Sequence, residues 1–269
     1  MLENLKSKIV NVRAHMLIRD SSYRQQLEDL PDELFIYWKN TAHKEFPGIP
    51  SDAIFFARAA EGLLMFFDIV RRSERACGLP SKASDSVWHA WSAMSQAQLD
   101  SFCCKHYARA IPHVEAGQMA ITMDLALATS LIAARKLDGL VLASCTVPSL
   151  FGLDRRLKMP GGFAYRVSGG ELGFSQINQR GIAEAKMQFP FWFNNAELLA
   201  AGLITQNAYD AQLLKKKTRQ DGAACGSGIS NPSCDLGSAG STGDACDAGG
   251  GSSGGSSCGS SCGGGCGGD

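Results

Sequence analysis

Along the first 220 residues, apolar positions recur at helical rather than strand intervals. Residues 2–19 scatter aliphatic side chains between Lys6, Lys8, Arg13 and Arg19, the pattern of an amphipathic helix. A second run, Tyr23 to Leu30, ends at Pro31, whose ring disfavours helical geometry in the residue before it. Asp32 is placed to cap a third run through Phe46, which Pro47 and Pro50 stop. Ser51 or Asp52 caps the next, where Phe55, Phe56, Ala59, Leu63, Phe66, Phe67 and Val70 fall at helical intervals until Gly78 and Pro80. A long helix is expected from about Ala83 to Tyr107, and another from Gly117 to Lys136.

After Ala143 the helical period fails, and Pro148, Pro160, Gly161 and Gly162 mark irregular backbone. Within that stretch GFAYRVSGGELGFS alternates apolar and polar residues around Ser168, Gly169 and Gly170, which predicts a small β-hairpin. A last helix is expected from Asn194 to Lys217. The fold class is therefore mainly α: a single helical domain over residues 1–220 with a small β-hairpin.

Composition changes the picture at the C-terminal end. Residues 221–269 hold 17 of the 30 glycines, 6 of the 10 cysteines, 11 serines and 5 aspartates, with no lysine or arginine. A segment with almost no large apolar side chains cannot offset roughly 1 to 2 kcal/mol of backbone entropy per ordered residue, so a disordered Gly/Ser/Cys-rich tail is expected. The zero net charge of the whole chain is then a cancellation, because residues 1–220 carry 26 basic and 21 acidic side chains. That mild excess suits neither a nucleic-acid binder nor a membrane-surface protein, and a protein partner is the expectation.

The N-terminus lacks the continuous apolar run of a signal peptide. Ile54 to Val70, the most apolar stretch, is interrupted by Arg58, Glu61 and Asp68 and reads as a buried helix rather than a span. A cytoplasmic location follows as the expectation, with the cysteines as thiols or metal ligands.

Chemistry concentrates between Asp85 and Gly117, in DSVWHAWSAMSQAQLDSFCCKHYARAIPHVEAG. On a helix Asp85, Trp88, His89 and Ser92 share a face, so a carboxylate, an indole and an imidazole stand together. Leu99, Phe102, Cys103 and His106 repeat the spacing, and His113 follows Pro112 just past the helix end. Asp85, His89, Cys103 and His113 are candidate ligands for zinc or another divalent metal, since imidazole nitrogen and thiolate sulfur suit borderline-soft ions. The same residues also fit a structural polar network, with Asp85 bonded to His89 and His113 capping a carbonyl, or a catalytic acid–base pair. Cys103 and Cys104 point about a quarter-turn apart, so only one of the two, Cys103, is expected to join this cluster and the other to be a small core residue.

This segment resembles the bacterial relatives of the plant glycine-rich domain proteins, in which an Asp-x-x-Trp-His element precedes an aromatic–Cys pair and a later His. The matching positions are Asp85, Trp88, His89, Phe102, Cys103 and His113. A second element, Leu-Phe-x-Leu-Asp before Gly-Phe-x-Tyr, is similar to VPSLFGLDRRLKMPGGFAY, residues 147–165. The chain departs from the plant pattern at Trp91 and Pro112, where further histidines would stand. The resemblance implies a helical domain joined to a Gly-rich segment, with no established chemistry; no RRM-like aromatic motif accompanies it here.

The tail adds Cys258, Cys262 and Cys266, one every four residues. Radical-SAM spacing would need the third cysteine at Gly265. Three thiolates around an ion, a core of thiazole- and oxazole-modified peptide, and a plain flexible tail all fit this run. GSSGG at residues 251–255 matches a nucleophile-elbow pattern but lacks the flanking strand and helix. The expected function is a non-enzymatic binding or scaffold module; the alternatives are a metal-binding protein or metalloenzyme using the Asp/His/Cys cluster, and a modified-peptide precursor.

Overall fold

The computed structural model of the chain describes residues 12–114, 117, 120–142, 144–168 and 171–221, with side chains up to residue 214. The Gly/Ser/Cys-rich tail, with Cys258, Cys262 and Cys266, lies outside them. The described residues form a mainly helical domain with one two-stranded antiparallel hairpin. Helical residues 12–20 lead into α1 (Arg24–Glu28), α2 (Asp32–Glu45), α3 (Ala53–Arg72) and α4 (Lys82–Tyr107). Then come α5 (Met123–Leu137), α6 (Leu153–Leu157), β1 (Phe163–Ser168), β2 (Glu171–Gln176), α7 (Asn195–Ala200) and α8 (Gln206–Asp221).

Most boundaries follow the local chemistry. Asp52 caps α3, its carboxylate accepting the amides of Ile54 and Phe55, and Thr122 caps α5 through the amide of Leu125. Asp32 does not cap α2: Pro31 holds the cap position and Asp32 lies in the first turn, where its charge favours the helix dipole. The helix expected from Gly117 starts only at Met123. The one expected from Asn194 to Lys217 is two, α7 and α8, separated at Gly202, whose φ is +65°.

The core is the faces of α2, α3 and α4. Trp38 is fully buried among Phe35, Phe55 and Phe56, and its indole N–H donates to Ser86 Oγ at 3.0 Å, tying α2 to α4. Helix α3, the segment with the most apolar sequence, is buried along most of its length, as its reading as a core helix required. Among the described residues no helix is long and apolar enough to cross a membrane.

The long helix α4 is the main departure from expectation. Ser95 has extended backbone, φ −166° and ψ 102°, and divides it into two arms. Trp91 and Phe102 have ring centroids 4.8 Å apart, whereas eleven residues of straight helix would separate them by about 16 Å. Phe67 touches both Trp88 and Tyr107, at 5.2 and 5.6 Å. The second arm therefore folds back along the first. Ser95 Oγ accepts the amide of Gln98, so the break is also the N-cap of the second arm. Ala108, with φ +64°, ends that arm, and the chain beyond it returns toward the start of α4.

That start is held by a buried carboxylate. Asp154, the first turn of α6, accepts four hydrogen bonds: from Ser81 Oγ at 2.7 Å, the amides of Lys82 and Ala83 at 3.0 Å each, and the amide of Phe163 at 3.1 Å. It joins the N-terminus of α4 to the first residue of β1. Burial pushes its carboxyl above the ordinary range, while these four donors pull it down. Gly162 makes room for it, since a Cβ there would stand 2.6 Å from Asp154 Oδ2. The hairpin pairs Phe163 with Gln176 and Ser168 with Glu171, and Tyr165 packs its ring on Phe151 at 4.9 Å.

Candidate metal centre

Asp85 and His89 stand one turn apart on the first arm of α4, as their spacing required. The reversal at Ser95 supplies the third group. Ile111 is buried and anchors the returning segment, which sets His113 opposite the first arm. The His89 and His113 rings have centroids 4.6 Å apart and are nearly perpendicular, at 89°. Both Nε2 atoms face one carboxylate oxygen: His113 Nε2 lies 3.3 Å and His89 Nε2 lies 3.6 Å from Asp85 Oδ1. One ligand atom from each of Asp85, His89 and His113 falls within 4.8 Å of the other two.

The fourth member is one that sequence spacing does not show. Glu45, the last residue of α2, places Oε2 2.6 Å from His89 Nδ1. It stands 44 residues before its partner, and only the packing of α2 on α4 brings the two together. Phe46, the next residue, sets its ring edge against the same imidazole with centroids 5.8 Å apart. Trp88 closes the other side, edge-on to His113 at 4.6 Å and itself packed on Phe66 and Phe67. Trp88 is 5% exposed, whereas the His89, Asp85 and His113 side chains are 36%, 32% and 25% exposed, so the site has a greasy floor and an open face.

Cys103 does not join this group. It lies on the second arm with its side chain fully buried, among the residues of the common core. Burial pushes its thiol up to about 12, against a hydrogen bond from the Ile111 backbone that lowers it, so the thiolate a metal needs is disfavoured there. Cys104, a quarter-turn on, is exposed, so the expected division is reversed: the cysteine assigned to the cluster lies in the core, and the one expected in the core faces solvent. Phe102 packs on Trp91 and His106, and Trp91 is fully buried. His106 belongs to a different cluster, with Nε2 2.9 Å from Asp29 Oδ2. Nor does His113 cap a helix carbonyl; its ring turns back to Asp85.

What the arrangement can do follows from counting protons. A neutral imidazole carries one N–H, and His89 has a carboxylate at each nitrogen. If the proton goes to Glu45, the nearer acceptor, then the Nε2 lone pair of His89 faces the lone pairs of Asp85. A second proton or a cation between them relieves that opposition. Tetrahedral zinc, with ligand bonds of about 2.0 to 2.2 Å, sets its ligand atoms about 3.3 to 3.6 Å apart. The two separations from Asp85 Oδ1, 3.3 and 3.6 Å, fall in that interval.

Residues 43–184, more than half of the chain, match the model of the family described as UCP032817-like. The chain belongs to the UCP032817-like family. The matched stretch begins two residues before Glu45 and takes in Asp85, His89, His113, Asp154, Gly162 and the hairpin. It also contains residues 147–165. Comparison with curated proteins and with solved structures gives no match.

Proposed function

We propose that this member of the UCP032817-like family is a metal-binding protein that holds one divalent transition ion, zinc by the character of its donors, on Asp85, His89 and His113. The observation that carries the reading is the convergence of one ligand atom from each of Asp85, His89 and His113 within 4.8 Å, with both imidazole Nε2 atoms facing Asp85 Oδ1 at 3.3 and 3.6 Å. Two nitrogens and one oxygen suit zinc and its first-row neighbours rather than calcium or magnesium, which prefer all-oxygen sites. Three protein ligands on an open face leave a fourth position for water or for a ligand oxygen. Of the functions the sequence leaves open, this is the one with a matching geometry among the described residues. We place the protein in the cytosol, in line with Cys77, Cys103 and Cys104 being thiols.

The test is a cobalt(II) titration of the full chain, followed by its visible spectrum. Nitrogen and oxygen ligation gives d–d bands without the intense near-ultraviolet charge transfer of thiolates, so the histidine site is separated from any ion held by the tail cysteines. One equivalent with the thiolate-free spectrum, lost in both His89→Ala and His113→Ala, is the expected result. A spectrum that is thiolate-only, or unchanged in those variants, overturns the proposal.

A further inference from the structure

Glu45 has no reason in local helix chemistry to stand where it does. It is the final residue of α2, where exposed carbonyls carry partial negative charge and an acidic side chain is unfavourable. His43 and Lys44, the residues before it, are the kinds that position favours. A residue that breaks the local rule while making a 2.6 Å contact with a residue on another helix is paid for by that contact.

We propose that Glu45 is the positioning residue of the metal centre, a carboxylate that accepts the Nδ1–H of His89 and so commits its imidazole to the tautomer whose Nε2 lone pair faces Asp85 and His113. This rests on the metal-binding reading and adds to it. The two contacts of His89 decide which nitrogen keeps the proton: 2.6 Å to Glu45 against 3.6 Å to Asp85. The Phe46 ring against the imidazole limits its rotation, so the fixed tautomer is also a fixed direction. Glu45 and Asp85 together supply two negative charges, which balance a divalent cation and leave the site neutral. A carboxylate behind a ligating histidine raises the basicity of the nitrogen that meets the ion, and loss of such a partner typically lowers metal affinity about 10- to 100-fold.

The experiment compares the full chain with Glu45→Ala, Glu45→Gln and His113→Ala. Zinc affinity is measured by competition with a chromophoric chelator, and the His89 tautomer of the zinc-free protein by long-range ¹⁵N–¹H correlation. Glu45 is well exposed, at 60%, so its variants keep the fold. The expected results are an Nδ1–H tautomer in the parent chain, a shift toward Nε2–H in Glu45→Ala with zinc binding about 10- to 100-fold weaker, and an intermediate Glu45→Gln. Unchanged affinity in Glu45→Ala overturns the role of Glu45, and the metal centre survives that outcome so long as His113→Ala has lost its zinc. Parent-like zinc binding in His113→Ala overturns the centre itself.

Discussion

Asp154 and Asp85 serve the same turn of the same helix and have opposite surroundings. Asp154 is 1% exposed and spends its carboxylate on four donors, three of them backbone amides and one the Ser81 hydroxyl. Asp85, about one-third exposed, meets two imidazole nitrogens at 3.3 and 3.6 Å and shares a single oxygen between them. A carboxylate whose capacity is filled by protein donors is architecture. One that faces groups able to release a proton, with a side open to solvent, is available for chemistry. The first aligns the helix that carries the second, so the Leu-Phe-x-Leu-Asp element and the Asp-x-x-Trp-His element are one device.

The widest gap between the two aspartates should appear in stability. Asp154→Ala strands four donors, two of them in fully buried hydrogen bonds, and should cost about 3 to 5 kcal/mol in urea unfolding, whereas Asp85→Asn should cost under about 1 kcal/mol. Equal losses would erase the distinction. Zinc at about 100 times its dissociation constant should raise the stability of the parent chain by about 2.7 kcal/mol and leave His113→Ala unmoved. Next comes Gly162→Ala, whose new methyl group would press on Asp154; a loss of about 1 to 3 kcal/mol is expected from thermal unfolding. Ser95→Ala removes the cap of the second arm and should cost about 1 kcal/mol. Smallest is a gain: Ala108 has φ +64°, and Ala108→Gly should stabilise by about 1 kcal/mol in the same assay.

Helical spacing alone put Asp85, Trp88 and His89 on one face, because three residues within a turn and a half need no tertiary information. The reversal at Ser95 escaped that reading because apolar positions on either side, Trp91 and Leu99, keep a helical rhythm across it. A signal was nevertheless there: Ser95-x-x-Gln98 has the form of a capping box in the middle of the run. Cys103 shared the spacing of its neighbours but is buried in the core, beside the Ile111 backbone. Glu45 and Asp154 were beyond reach for a common reason: each acts on a partner far along the chain, 44 residues away in one case and 71 to 73 in the other. The hairpin was legible because the apolar–polar alternation of its two strands is local.

The most direct test of the metal centre is anomalous diffraction at the zinc absorption edge from crystals of the full chain grown with zinc. The account predicts a single strong peak about 2.0 to 2.2 Å from Asp85 Oδ1, His89 Nε2 and His113 Nε2. Zinc peaks only elsewhere, with the two imidazoles still turned on Asp85 and no density between them, would contradict it.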